Sequence, residues 1–363
     1  MLWFVLTTGA CNLRCRYCGG GFPPSVVPHR PRFGVEELAE FIKRVDPWPA
    51  VFFYGGEPLL NPRLIRGLMD LLWGRARFGI QTNGVLHHLL EDEYWARMET
   101  VLLSIDGVEE VTDRWRGRGV YRRVVEALKR LQRLREKAGG PATIIARMTV
   151  TRDTVIDRDV FHLLGLGFDK VHWQLDAVWG EEWDIATWAR ESYLPGIEAL
   201  ADWVAEAPAG RLRRIVPFHG VVSRLLHGSD GWVPCGTGRG ALAVSTDGRI
   251  LACPIAVRER WAHLGDIWSG IDEEKQARLG EILAGCRSCP YFQVCGGRCL
   301  YAQAEKSYWS RERLEDLDWV TRSFLDTVFA RVVPAVLRAI ERGEMTPGDV
   351  LYDPLLESTE VIP

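Results

Sequence analysis

Nine cysteines are the most reactive residues of this 363-residue chain, and they fall in two groups. Cys11, Cys15 and Cys18 share the stretch "CNLRCRYC", and Cys235, Cys253, Cys286, Cys289, Cys295 and Cys299 follow much later. The run "CRSCPYFQVCGGRCLY" at 286–301 sets four of them within fourteen residues. Read alone, that run suits a zinc ribbon, a disulfide knot or an iron-sulfur site, since each needs several thiols on a short loop. The odd count and the clustering favour metal ligation in a reducing cytosol over a secreted disulfide framework. The three thiols of the first group can bind three irons of a 4Fe-4S cube and leave the fourth iron without a protein ligand. Their spacing is neither that of a ferredoxin run nor that of the paired CxxC of a zinc site.

The surrounding pattern says what must position these residues. Short β-rich apolar runs alternate with helical ones over the first 180 residues, the rhythm of parallel strands with helical crossovers. Strands are expected at 2–7, 51–54, 78–82, 101–106, 143–151 and 170–175, and helices at 35–45, 63–73, 92–98, 121–137 and 157–164. Six β/α units predict an α/β fold, a partial (β/α)6 TIM-like barrel or else an open parallel sheet, with a small loop-rich C-terminal domain and a ligand site at the C-terminal ends of the strands. The expected organisation is a barrel at 1–180, a helical bridge at 181–230, a cysteine-rich domain at 231–310 and a C-terminal helix and tail at 311–363. Asp247-Gly248 in "LAVSTDGRILACP" is a hairpin turn signal, and Pro334 should kink the helical pattern of 311–341.

A formal charge of -3 lacks the broad basic footprint of a nucleic-acid binder. No apolar run approaches the roughly 18 residues of a membrane span, and no charged n-region precedes the first strand. A cytoplasmic protein with neither nucleic acid nor membrane as partner is expected. The local basic run "RWRGRGVYRR" includes Arg118, Arg122 and Arg123, which suit a solvated face as well as an anion site.

The stretch "CNLRCRYC" directly after the first strand resembles the CxxxCxxC signature of the radical S-adenosylmethionine (radical SAM) superfamily. Three further segments resemble that family in order and spacing: "YGGEP" at 54–58, "QTNG" at 81–84 and "LSIDG" at 103–107. The resemblance implies that Cys11, Cys15 and Cys18 hold a 4Fe-4S cluster. It implies too that S-adenosylmethionine (AdoMet) chelates the open iron and is cleaved reductively to a 5'-deoxyadenosyl radical that abstracts hydrogen from a substrate. It places Tyr17 near the adenine, and Gly55, Gly56, Glu57 and Pro58 at the methionine end. Thr82, Asn83, Ser104 and Asp106 then lie near the ribose and the methionine carboxylate, with Arg116 in a carboxylate-binding or structural role. Independently, glycines admit a close backbone approach and a carboxylate can accept from an ammonium group. In "HWQLD", strand alternation sets His172, Gln174 and Asp176 on one face against Trp173 and Leu175. That polar face is the expected catalytic or substrate surface, and Arg147, Thr149 and Thr151 form a similar one.

The later cysteines resemble the SPASM domain, the auxiliary-cluster extension of radical SAM enzymes that modify ribosomal peptides, and the whole pattern is similar to peptide-modifying enzymes of archaea. The resemblance assigns Cys235, Cys253 and Cys299 to a first auxiliary 4Fe-4S cluster, and Cys286, Cys289 and Cys295 to a second. The chain departs from it in lacking the downstream cysteine that closes the second cluster, and Glu305, Glu312, Glu315, Asp316 and Asp318 are oxygen donors in that region. Water, an exogenous thiolate, a substrate group or loss of that cluster are the other ways to account for the missing ligand. An extra cysteine found in some relatives between the positions of Cys235 and Cys253 is absent as well.

The expected substrate is therefore a ribosomal peptide or protein side chain, with ferredoxin or flavodoxin as electron donor. Because the chain starts at strand one, a separate leader-peptide-binding protein or direct recognition is expected to deliver the peptide. Thioether formation, carbon-carbon crosslinking, epimerisation, decarboxylation and oxidation share this architecture. A small-molecule or cofactor-precursor substrate is the alternative within enzymes. A non-catalytic iron-sulfur electron carrier is the alternative outside them, and it would have no use for the "GGEP" and "SIDG" segments.

Overall fold

The structure is a computed structural model that describes residues 1–177, 183–355 and 362–363. The chain packs as two compact units, one of Met1–Ile105, Thr112–Ile145 and Gly236–Ile282, the other of Asp106–Val111, Ala146–Cys235 and Leu283–Pro363.

In the first unit, four parallel strands alternate with helices: β1 (Leu2–Leu6), α1 (Val35–Val45), β2 (Ala50–Tyr54), α2 (Pro62–Leu71), β3 (Arg77–Thr82), α3 (Asp92–Ala96) and β4 (Thr100–Ser104). Then come α4 (Glu109–Arg116) and α5 (Val120–Ala138). Continuous apolar strands such as "LWFVL" are what a parallel sheet covered on both faces requires, and all five side chains of β1 are buried. Trp3 fixes α1 against β1: its ring meets Phe41 edge-on at 5.6 Å and its indole N–H donates to Asp46 at 3.3 Å. In α1 the buried Leu38, Ala39, Phe41 and Ile42 form the core stripe, and Glu36, Glu37, Lys43 and Arg44 match the helix dipole at the two ends.

The Asp247-Gly248 turn joins β7 (Ala241–Val244) to β8 (Arg249–Leu251), with Val244 opposite Ile250. The hairpin continues antiparallel into β9 (His263–Asp266) and β10 (Gly270–Ile271). The sequence pattern did not reveal that β7 pairs in parallel with β1, Leu2 opposite Ala241 through Val5 opposite Val244. The order within this unit is therefore β10-β9-β8-β7-β1-β2-β3-β4. A strand as apolar as β1 needs a partner on each edge, and here the cysteine-rich segment supplies one of them.

The strand β5 (Thr143–Val150) begins in the first unit, where Thr143 N–H donates to the Glu99 carbonyl at 2.9 Å. From Ala146 it belongs to the second unit, beside β6 (Lys170–Leu175). This unit also holds α6 (Ile156–Gly165), α7 (Leu194–Glu206), α8 (Val216–His227), α9 (Arg311–Thr327) and α10 (Val333–Glu341). The helical pattern of 311–341 is interrupted by a π turn at Val328–Val332 just before Pro334, because proline lacks the N–H and crowds the preceding turn. The boundary expected between 180 and 181 lies outside the described residues, as does part of the tail. Among the described residues, no helix is long and apolar enough to cross a membrane.

Candidate active site

The loop bearing Cys11, Cys15 and Cys18 leaves β1 at its C-terminal end and is tied down through its backbone. Cys18 and Gly19 donate to the Cys15 carbonyl at 3.1 and 2.8 Å, and Phe22 donates to Gly9 at 2.7 Å. Cys15 is buried, Cys11 half-buried and Cys18 exposed. Leu13 N–H points at Cys11 Sγ, 3.4 Å away. Burial pushes the Cys11 thiol above its ordinary pKa, the Leu13 N–H acts the other way, and the charges of Glu57 and Cys18 raise it further. These soft donors on one loop, two of them within electrostatic reach of each other, fit an iron-sulfur cluster, whose binding would displace their protons. Among the described residues, no three His, Cys, Asp or Glu side chains converge as ligands of a single metal ion. The thiolates of a cube bind separate irons and stand further apart than that.

The glycines of "YGGEP" have a use that sequence reasoning missed: they approach the cysteine loop itself. Gly56 N–H donates to the Thr8 carbonyl at 3.0 Å and Glu57 N–H to the Ala10 carbonyl at 2.8 Å. A Cβ on Gly55 would lie 2.4 Å from the Thr8 carbonyl oxygen, and one on Gly56 would lie 2.1 Å from that of Ala10. Gly55 also has a φ of 139°, where side chains are strained.

Glu57 is fully buried and accepts three hydrogen bonds, from Thr82 Oγ1 at 2.6 Å, Asn83 N–H at 2.8 Å and Leu59 N–H at 3.0 Å. Burial pushes its carboxyl up to about 7 against the downward pull of those three donors. Asn83 Nδ2 in turn donates to Asn12 Oδ1 at 2.8 Å, so one chain of bonds joins the ends of β2 and β3 to the cysteine loop. Asn12 was not singled out from the sequence; its only signal is a neutral polar side chain directly after Cys11. Pro58 closes the same corner, its carbonyl accepting from Thr7 Oγ1 at 3.1 Å.

A third tie comes from α4. Arg16 N–H donates to the Trp115 carbonyl at 2.9 Å, the Tyr17 and Trp115 rings stack at 6.1 Å, and the Arg116 guanidinium sits 5.5 Å from the Tyr17 ring centroid. Tyr17 and Arg116 are both buried. Trp115 is a second residue that sequence reasoning passed over, although it directly precedes Arg116. Ser104 closes β4 and is buried, whereas Asp106 lies beyond the strand, because β4 ends two residues earlier than expected. In the second unit Asp106 is fully buried and accepts from Thr149 N–H at 2.9 Å.

The two faces of β6 separate as alternation requires. Trp173 packs edge-on against Phe218 of α8 at 6.2 Å and donates to the Tyr193 hydroxyl at 3.0 Å. On the other face His172 is fully buried, Gln174 Nε2 donates to the Ile362 carbonyl at 3.2 Å, and the Asp176 carbonyl accepts from Trp183.

Of the later cysteines, Cys253 follows β8 in the first unit, while Cys235, Cys286, Cys289, Cys295 and Cys299 lie in the second. Arg224 of α8 gathers part of this second set. It donates to the Val294 carbonyl and to the Trp232 carbonyl, each at 2.7 Å, which draws the segment before Cys235 to the loop before Cys295. Cys289 N–H donates to the Cys286 carbonyl at 3.0 Å, closing a turn between them. Burial pushes the Cys295 thiol up to about 11. Cys286 is raised by burial and by the nearby Cys289, pulled down by Lys306, and raised again by the Asp318 charge.

A cysteine loop at the end of β1, clamped from the ends of β2 and β3 and capped by α4, is the site of a radical SAM domain. Residues 5–176 match the Radical SAM superfamily, and the fold is α/β with a parallel sheet. Such a domain implies a 4Fe-4S cluster and AdoMet. The chain is 26% identical to the mycofactocin maturase MftC of Mycobacterium ulcerans (strain Agy99) over 322 residues, covering 82% of each. Its fold is similar to native anSMEcpe with bound AdoMet, with a TM-score of 0.72 and 20% identity over 93% of this chain and all of that one. SuiB of Streptococcus suis bound to S-adenosylmethionine is similar at a TM-score of 0.58 and 15% identity, over 84% of this chain and 74% of SuiB.

Proposed function

We propose that the enzyme modifies a peptide or protein side chain, with Cys11, Cys15 and Cys18 holding the 4Fe-4S cluster on which AdoMet is bound. The carrying observation is the bond chain Glu57–Thr82–Asn83–Asn12, which sets the cysteine loop against the ends of β2 and β3. Cluster and AdoMet together supply, when bound, a one-electron reductive cleavage that yields a hydrogen-abstracting 5'-deoxyadenosyl radical. The chain's own residues bind and orient. Tyr17, packed by Trp115 and Arg116, presents an aromatic surface to the adenine, and Ser104 and Asp106 serve the polar part of the nucleoside and amino acid. Gly55, Gly56, Glu57 and Pro58 shape the methionine end chiefly by fixing the loop. The buried His172 and Asp176, with the half-buried Gln174, take the substrate and its protons. Cys235, Cys253 and Cys299 would hold a first auxiliary cluster, and Cys286, Cys289 and Cys295 a second; such clusters would supply an acceptor for the electron of a substrate radical. The peptide assignment draws support from the relative named for mycofactocin maturation, and from structures of anSMEcpe with a Cp18Cys peptide and of SuiB with precursor peptide SuiA. A ferredoxin-like or flavodoxin-like donor would deliver the electron, and a separate leader-binding protein would present the peptide.

Anaerobic incubation of cluster-replete protein with AdoMet and dithionite should release 5'-deoxyadenosine. The Cys11/Cys15/Cys18→Ala variant should release none and should carry about 4 fewer irons per chain, one cube's worth. Absence of 5'-deoxyadenosine from the wild type, or zinc in place of iron, would defeat the assignment. A short peptide encoded beside the gene should change mass in the same reaction, and an unchanged peptide beside a turned-over metabolite would move the substrate to a small molecule. Arg116→Ala should weaken AdoMet binding about tenfold, since removing a desolvated cation from a ring face costs on the order of 1–2 kcal/mol. Unchanged affinity by calorimetry would reduce Arg116 to a packing residue.

A further inference from the structure

The second auxiliary site, as proposed above, has three cysteines and lacks a fourth, and the loop that bears them is docked on one face of α9. Tyr291, between Cys289 and Cys295, makes the contact: its hydroxyl donates to Asp326 at 2.7 Å, its ring stacks on Phe329 at 6.3 Å, and the Arg322 guanidinium lies 5.9 Å from its centroid. Residues 322 and 326 share one face of α9 at a spacing of four, and Phe329 follows in the π turn just beyond its end. One turn towards the N-terminus, about 6 Å along the axis, the same face presents Asp318. Its Oδ2 pairs with Arg322 at 2.7 Å, and Oδ1 has no partner among the described residues. The other oxygen donors in the region are placed differently. Glu315, one turn further from the Tyr291 contacts, is paired with Arg311 at 2.7 Å, Asp316 is two residues and hence about 200° around the helix from Asp318, Glu305 is buried and precedes α9, and Glu312 lies nearly two turns before Asp318. On the loop side, a Cβ on Gly297 would lie 3.6 Å from Cys286 Sγ, so the backbone after Cys295 folds back over Cys286.

The geometry points to Asp318 as the fourth protein ligand of the cluster held by Cys286, Cys289 and Cys295, with Oδ1 on the iron and Oδ2 kept by Arg322. A carboxylate is a harder donor than a thiolate, and the Asp318 side chain is 57% exposed. The iron it holds is therefore the most weakly bound of the four and the one open to solvent or to an exogenous thiol. Oxidation of the cluster should release that iron first.

The test compares reconstituted full-length wild type with Asp318→Ala, Asp318→Cys and Cys286/Cys289→Ala, each in the Cys11/Cys15/Cys18→Ala background so that only auxiliary iron is counted. Iron and labile sulfide analysis, Mössbauer spectroscopy and electron paramagnetic resonance are the readouts, and no catalytic turnover is needed. Asp318→Ala should lose about one iron per chain on brief oxidation under conditions that spare the wild type, with the signal of a three-iron cluster. Asp318→Cys should retain all four irons and resist that loss beyond the wild type. If Cys286/Cys289→Ala removes about 4 irons while Asp318→Ala leaves every spectrum unchanged, Asp318 is not the ligand although the cluster is real. If Cys286/Cys289→Ala removes no iron, the second auxiliary cluster is absent and the ligand assignment falls with it.

Discussion

Gly56→Ala should leave the chain unable to seat the Cys11–Cys18 loop, so that the purified protein melts early and carries no iron at its N-terminal site. The added Cβ would stand 2.1 Å from the Ala10 carbonyl oxygen and 2.5 Å from its carbonyl carbon. Both are backbone atoms, which have no rotamer to change. The two chain segments must part, which breaks the Gly56 N–H to Thr8 and Glu57 N–H to Ala10 bonds that hold them together. Overpacking with flexible neighbours costs about 1–3 kcal/mol, and a clash with fixed backbone belongs at or above the top of that range. Gly165→Ala is the control: at the end of α6 a Cβ meets nothing within 4 Å, and exchanging glycine for alanine there should be neutral or slightly stabilising. Equal melting temperatures and equal iron contents for the two variants would show that the loop does not depend on this approach.

Glu57→Gln should cost less at high pH than at low pH. Three donors converge on the Glu57 carboxyl. An amide offers one oxygen and two N–H groups, so a buried donor loses its acceptor, at about 1–3 kcal/mol. The pH dependence follows from burial. With a folded pKa of about 7 against 4.5 for the exposed group, the native state holds a proton between those values that the unfolded chain has lost. The native state binds more protons in that window, so stability falls as pH rises through it. The contribution is complete below about 4.5 and gone above about 7, and amounts to on the order of 3 kcal/mol at 1.36 kcal/mol per pKa unit. Urea melts of the metal-free wild type should show this decline between pH 5 and pH 8, and the glutamine variant should lack it. Parallel curves for the two proteins would mean that the carboxyl is already ionised at pH 5, its three donors outweighing its burial.

Much of the barrel was legible in the sequence because its signals are local. An uninterrupted apolar run such as "LWFVL" has no stable place except between two covered faces. The pattern "VEELAEFIKRV" closes a helix over Val35–Val45, as the structure shows, and "KVHWQL" spans the observed β6. Cysteine spacing is likewise local, and three thiols in eight residues define a chelating loop wherever the chain carries them. The partners were not legible, because a hydrogen bond between segments seventy residues apart leaves no spacing to read. Asn12 meets Asn83, Trp115 stacks on Tyr17, and β7 pairs with β1 across more than two hundred residues.

The sequence by itself determined the alternation of strands and helices, the two cysteine groups, the resemblance to radical SAM enzymes and the lack of a seventh SPASM-type cysteine, all properties of residue type and short-range order. Only the tertiary structure decided that the glycines of "YGGEP" serve the cysteine loop, that Glu57 is spent on internal hydrogen bonds, and that Asp318 shares a helix face with the residues that dock Tyr291. Those are facts of distance between remote backbones, set by how the elements pack, and no single stretch of chain contains them.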